Sequence, residues 1–311
     1  MFNNLSLHTR AVLQALLVTF LWSTSWVFIK FGIEEAIPPL MFAGMRYALA
    51  FACLLPFALR HVRANGMVQM LTGRDWLRLA TLGLILYAAT QGAQFVSLKH
   101  LPAITVSLVL SFSAVLVALL GAALLREQPT LRQWLGVVVY LCGVLVYFYP
   151  LQIPVEQGFG LLVALGGLLS NALASIVGRA VNRALAIPPL LVTTISMGIG
   201  AGVLVSLGLV LEGMPPLGLT SVLIIVWLAV VNTAFAFTLW NRTLQTLSAL
   251  ESSVINNTMM IQIPLLAWLF LGEAITEQVA LGLLLAAAGI LIVQFHESLA
   301  RLTLRSRREA R

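Results

Sequence analysis

Charge is what this chain lacks. Of its 311 residues only 9% are Asp, Glu, Lys or Arg, where soluble domains carry roughly 25%, and 60% are hydrophobic. A water-soluble fold of that composition would have too little polar surface to coat itself, so the chain reads as an integral membrane protein. Cysteine is nearly absent too. Cys53 and Cys142 both lie inside apolar runs, where they read as small packing residues and carry no message about redox compartment. A secretory leader is not expected, because the apolar run that starts at Ala11 extends to about Ile33 with no A-x-A-like site after it.

What is present is a series of apolar stretches, each close to the roughly 20 residues that cross a bilayer as a helix. They fall near 11–33, 38–59, 76–98, 101–125, 131–149, 158–179, 188–211, 218–240, 249–271 and 279–296. The breaks carry turn signals such as Pro38-Pro39, Asn65-Gly66, Pro129, Pro150, Pro188-Pro189 and Pro215-Pro216. The runs lack the alternation of barrel strands. Ten transmembrane helices are expected.

The net charge of +7 is a topology signal. With both termini inside, fifteen arginines fall on inner segments and only Lys30 and Lys99 on outer ones, with Arg46 left within a helix. Nucleic acid is not needed as a partner to explain the charge, and the basic tail 297–311 would meet anionic lipid.

The chain also repeats itself. A shift of 146 residues superposes 97–148 on 243–294 without a gap, pairing Ala103 with Ala249, Ser107 with Ser253, Glu127 with Glu273, Thr130 with Thr276, Gly136 with Gly282 and Gly143 with Gly289. The string IPPL stands at 37–40 and again at 187–190. Five helices per half is an odd number, so the second half would insert upside down. Inverted repeats of this kind characterise secondary transporters, whose site lies between the halves near the midplane.

These segments carry a family resemblance. LWSTSWVFIK resembles the first-helix Trp…Lys pattern of ten-helix, EamA-type members of the drug/metabolite transporter superfamily, and PPLMFAGMRYALA is similar to their second helix with its single arginine. LLREQPTLRQWLGVVVYLCGVLV and FLGEAITEQVALGLLLAAAGILIV resemble the G-E-x-x-T signature that ends each half. Arg126 replaces the usual glycine before the first Glu, and Pro264 lies closer to its Glu than the family's proline, which would shift the bend of the ninth helix. The resemblance implies export of metabolites, often amino acids or related compounds, from the bacterial cytoplasm. It also embraces sugar-phosphate and nucleotide-sugar carriers.

The polar residues inside the spans are the candidates for a site. Trp22, Trp26 and Lys30 recur every four residues on one helix face. Lys30 could line a route, or snorkel to the outer interface near Glu34 and Glu35. Arg46 lies eight residues into its span, roughly 12 Å deep at 1.5 Å per residue, with no buried carboxylate to pair with. It must face water, bond backbone carbonyls or meet an anionic group of a substrate; a gating or structural role and a substrate role both remain open. Tyr87, Gln91 and Gln94 share a face by helical spacing, and Asn171, Asn232, Asn256 and Asn257 add to the lining. Lys30, Glu127, Glu273 and Pro264 are assigned gating or structural roles. His8, His61, His100 and His296 fall at ends or in loops, so neither a proton relay nor an intramembrane catalytic or metal site is expected.

The expectation is an all-α membrane protein with ten transmembrane helices in two inverted repeats, 1–150 and 151–296, followed by the cytoplasmic tail. It would be a monomer of the bacterial inner membrane that moves small organic metabolites by alternating access, with export favoured and no cofactor or metal. The alternatives are a carrier for phosphorylated sugars or nucleotide-sugars, and a receptor or lipid-handling protein without transport.

Overall fold

The computed structural model describes residues 6–65, 71–113, 115–117, 131–150, 154–184, 188–243, 246–247 and 255–292. Glu127 and the basic tail 297–311 lie outside these. Among the described residues the regular structure is helical: α1 (Leu7–Glu34), α2 (Pro39–Asn65), α3 (Gly73–His100), α4 (Ala103–Ser111), α5 (Leu131–Tyr147), α6 (Val155–Ala184), α7 (Pro189–Leu211), α8 (219–243), α9 (Met259–Leu271) and α10 (Glu277–Ile292). Six of them, α1–α3 and α6–α8, are long and apolar enough to cross a bilayer, and the other four are shorter apolar helices. A helix suits this sequence because it satisfies every backbone group within the segment, which hydrocarbon surroundings demand.

Local chemistry sets the ends. Both IPPL strings start a helix, with Pro39 opening α2 and Pro189 opening α7, positions where a missing N–H costs nothing. Thr72 and Asp75 form a reciprocal capping box before α3. α9 stops at Gly272, whose φ of +66° is comfortable only without a Cβ.

Two helices are not regular. A π-helical stretch occupies Gly83–Gln91 within α3, and another occupies Val230–Phe235 within α8. The spans expected as unbroken at 101–125 and 249–271 are interrupted at Phe112 and at Thr258. The bend of the ninth span therefore falls at Thr258, ahead of Pro264, which is buried inside α9. At that point Thr258 Oγ1 donates to the Ile255 carbonyl (2.6 Å) and Gln262 Nε2 donates to Thr258 Oγ1 (3.0 Å). Side chains there compete with the helix ladder, a recognised cause of bending. The two interruptions are 146 residues apart, and the π stretches overlap under the same shift.

The largest buried cluster joins α1–α4 to α6–α9 through Ile29, Phe42, Tyr47, Phe95, Leu98, Met197, Leu204 and Leu228 among others. A second cluster (Leu108, Val115, Val137, Tyr140, Met260, Ala286, Ile290) ties α4, α5, α9 and α10 together. Glycine makes the closest approach possible. A Cβ on Gly143 would stand 2.6 Å from Ala286 N and from Gly282 O, and one on Gly289 would stand 2.5 Å from Tyr140 N and 2.6 Å from Gly136 O. Under the 146-residue shift each of these contact pairs maps onto the other. Close crossings at small residues are the usual means by which helices associate in lipid.

The helix ends sort the charges. One end of the bundle, the carboxylate end, carries Glu34, Glu35, Glu156, Glu212, Glu273 and Glu277; the other, the arginine end, carries Arg10, Arg60, Arg63, Arg74, Arg78 and Arg242.

Candidate functional site

The carboxylate end is closed by three side chains that bond backbone. Glu273, just after α9, accepts hydrogen bonds from the N–H groups of Ala103 (2.6 Å) and Ile104 (2.9 Å) at the start of α4. Glu212, just after α7, accepts from Met41 N (2.8 Å) and Leu40 N (3.2 Å) at the start of α2. A carboxylate is favoured at a helix N-terminus because the first N–H groups have no partner within the helix. Lys30 Nζ donates to the Leu101 carbonyl (2.6 Å) at the end of α3, the favourable pole for a cation. Lys30 therefore does not pair with Glu34 or Glu35; among the described residues the only ion pair is Arg78–Asp75. Beneath these caps Ile29, Phe42, Phe95 and Leu98 are fully buried, and they seal that end.

Below the seal lies a cavity of about 260 Å³. α1 supplies Trp22, Ser25 and Trp26; α2 supplies Arg46 and Tyr47; α3 supplies Thr90, Gln91 and Gln94; the remaining helices contribute Leu110, Asn171, Phe237, Asn256 and Met259. Leu110 and Asn256 stand beside the two helix interruptions and are 146 residues apart. Among the described residues no Asp, Glu, Lys or His contributes to this wall.

Arg46 is 3% exposed. Its Nε donates to Thr233 Oγ1 (2.9 Å), which in turn donates to the Leu228 carbonyl (2.8 Å). That i→i−5 bond is available because α8 widens into its π stretch at this point. The guanidinium carbon also lies 5.2 Å from the Tyr47 ring centroid and 5.9 Å from that of Phe95, within reach of the aromatic quadrupole. A hydroxyl and two rings orient the charge without neutralising it. Trp22 Nε1 is buried with no partner among the described residues, and the Trp22 ring packs 5.2 Å from both Phe237 and Trp240.

Seven of the ten candidate lining residues come together here: Trp22, Trp26, Arg46, Gln91, Gln94, Asn171 and Asn256. Three do not. Tyr87 packs behind the wall with its ring 5.5 Å from that of Tyr47. α-Helical spacing puts it on the face of Gln91, and the π stretch breaks that phase, since its ladder no longer closes after four residues. Asn232 is wholly buried and donates to the Leu21 carbonyl and to Thr24 Oγ1, tying α8 to α1. Asn257 lies beside a separate hollow shared with Met260, Ile261 and Ala287, because neighbours in a helix point about 100° apart. Ser25, Tyr47, Thr90 and Phe237 were not singled out in the sequence. Thr90 and Tyr47 adjoin Gln91 and Arg46, which was the one signal that could have found them. Asn171 Nδ2 donates to Ser113 Oγ (3.0 Å), fixing α6 against the segment beyond α4.

The geometry can now be set beside known proteins. The sequence profile of the EamA-like transporter family matches residues 9–149 and, a second time, 158–295. The chain belongs to the EamA-like transporter family. Among curated relatives it is 26% identical to the "Uncharacterized transporter YoaV" of Bacillus subtilis (strain 168), over 92% of this chain and 97% of that one. It is also 26% identical to the "Probable amino-acid metabolite efflux pump" of Escherichia coli (strain K12), over 90% and 93%. A solved crystal structure 20% identical superposes with a TM-score of 0.63, covering 92% of this chain and 97% of its own; at that identity it speaks for the fold alone. This EamA-like chain is thus a multi-pass membrane protein of the transporter type. The family and these relatives carry the names of transporters, not of enzymes.

Proposed function

We propose that this EamA-like protein is a ten-helix secondary transporter, built of two inverted five-helix repeats, that moves carboxylate-bearing small metabolites of amino-acid size across the bacterial inner membrane by alternating access. Export is favoured, and both termini lie in the cytoplasm. The repeat reading is supported by the double family match, the matched helix interruptions, the overlapping π stretches and the self-related α5–α10 glycine contacts. The asymmetry of arginine between the ends supports the orientation. On that orientation the described conformation is closed to the outside.

The observation that carries the substrate reading is Arg46: buried, in the cavity wall, and with no carboxylate in ion-pair range among the described residues. A guanidinium that deep in hydrocarbon surroundings costs several kcal/mol, and an anionic solute held by two parallel hydrogen bonds offsets part of it. The amides of Gln91, Gln94, Asn171 and Asn256 can bond the polar remainder of the solute, and the indoles of Trp22 and Trp26 can cover an apolar side chain. One cation and a volume below the roughly 300–1,000 Å³ usual for drug-sized ligands suit a small monoanion better than a nucleotide-sugar with two phosphate charges. The relative named as an amino-acid metabolite efflux pump points the same way.

The test is transport by the reconstituted protein after Arg46→Lys, which keeps the charge and loses the fork. Uptake of a carboxylate solute should fall at least tenfold more than uptake of its neutral amide. Equal losses for both, with normal insertion, would assign Arg46 to the scaffold or gate and reject the substrate reading.

A further inference from the structure

A second hollow, of about 290 Å³, opens on the outside of the bundle at the arginine end, between α2, α3 and α7. Its floor exists because of Gly198: a Cβ there would meet the Phe51 ring at 2.8 Å, so the ring lies flat against the α7 backbone. From Phe51 the trough runs along α2 past Leu55, Leu59 and Val62, one helical stripe. Trp76 of α3 forms its far wall. Thr194 is its one hydroxyl, and that group already donates to the Leu190 carbonyl (2.8 Å). What lies in the trough must therefore be hydrocarbon.

The trough ends among mainly basic side chains, with Asp75 as the acidic residue beside them. Leu59 is flanked by Arg60, and Val62 by Arg63; Trp76 lies two residues from both Arg74 and Arg78. All four arginines are exposed, and among the described residues only Arg78 has an acidic partner, Asp75 at 3.1 Å. Trp76, 42% exposed, sits where indoles collect, at the boundary between hydrocarbon and headgroups.

We propose that this trough is a binding site for one anionic phospholipid of the leaflet at the arginine end. One acyl chain lies over Gly198 and Phe51, and the phosphate is held by Arg60, Arg63 and Arg74. The proposal rests on the membrane-spanning reading of α2, α3 and α7 and is independent of what the central cavity carries. A zwitterionic headgroup offers a phosphate too, but its own ammonium offsets that charge beside three guanidinium groups, so a lipid with net negative charge is held more tightly and the site discriminates by headgroup and not by chain.

Brominated acyl chains quench tryptophan on contact, which allows a direct test. The full chain is placed in phosphatidylcholine nanodiscs doped with brominated phosphatidylglycerol or brominated phosphatidylcholine. The contribution of Trp76 is read as the difference between the wild type and Trp76→Phe. Brominated phosphatidylglycerol should quench Trp76 half-maximally at about one tenth of the mole fraction that brominated phosphatidylcholine needs. The triple variant Arg60→Gln, Arg63→Gln, Arg74→Gln should lose that preference, and the corresponding triple Lys variant should restore most of it. Ala58→Phe, which fills the trough, should weaken quenching by both lipids. Equal quenching by the two lipids in the wild type, or a preference that survives the Gln variant, would overturn the proposal. So would a change in Trp76 emission on adding inorganic phosphate to undoped nanodiscs, which would mark a site for a free anion.

Discussion

Replacing Glu273 by Gln should open the carboxylate end. In the closed conformation both carboxylate oxygens are occupied, at 2.6 Å from Ala103 N and 2.9 Å from Ile104 N. Hydrogen bonds to a charged group contribute about 1.5–3 kcal/mol each, and a negative charge at a helix N-terminus adds about 0.3–1 kcal/mol. Gln keeps one acceptor oxygen, loses the charge, and turns an NH₂ toward a backbone N–H. A net loss of about 2 kcal/mol from the closed state is a conservative figure, and it shifts the closed-to-open ratio roughly thirtyfold. The reporter is Ser97→Cys in α3, a near-isosteric change at a residue with no exposure, made in a background lacking Cys53 and Cys142. Its alkylation by a membrane-impermeant maleimide should quicken by about that factor when Glu273→Gln is added. A second reporter, Ala15→Cys, buried in α1 at the arginine end and away from the cavity, should not quicken. If Ser97→Cys reacts at the same rate with and without the change, Glu273 does not hold the gate. If both reporters accelerate together, the substitution has loosened the whole fold and the gating argument fails as well.

Other consequences can be checked independently. A cytoplasm-specific fluorescent reporter should give signal both after Arg311 and when inserted near Asn65; a periplasm-specific reporter active at both places would reverse the orientation. Because no acidic or histidine side chain lines the central cavity among the described residues, counterflow exchange of labelled substrate should persist when a protonophore collapses the proton gradient, and exchange that stops would reveal a relay. Gly143→Ala and Gly289→Ala each drive a methyl group to within 2.6 Å or less of backbone on the facing helix. Each should cost about 1–3 kcal/mol, read as a lowered unfolding temperature of the purified protein, with similar losses for the two variants. A loss confined to one of them would count against α5 and α10 being related elements.

Much of this molecule was legible before any coordinates. Hydrocarbon surroundings force each apolar run to satisfy its own backbone, so run length and composition announce the helices without reference to their neighbours. The charge asymmetry is equally local, as is the repeat, because matched Glu and Gly at a constant shift need only be counted. Even Arg46 declared itself by being a charge in the wrong surroundings.

What the tertiary structure alone decided are the partners, and the reason is physical. Lys30 was read against nearby carboxylates, yet it meets the Leu101 carbonyl, and a backbone acceptor leaves no mark in a sequence. Glu273 and Glu212 hold backbone N–H groups of helices far from them along the chain, a choice made by where loops land. Nothing in the sequence around Glu212 marks it as a cap. Helical spacing misplaces Tyr87 because side-chain phase assumes an α ladder, and the π stretch over Gly83–Gln91 resets that phase without any distinctive residue. Thr233 meets Arg46 for the same reason, across 187 residues of sequence. Membrane insertion is decided one helix at a time; the cavity, the caps and the trough over Gly198 exist only where several helices cross.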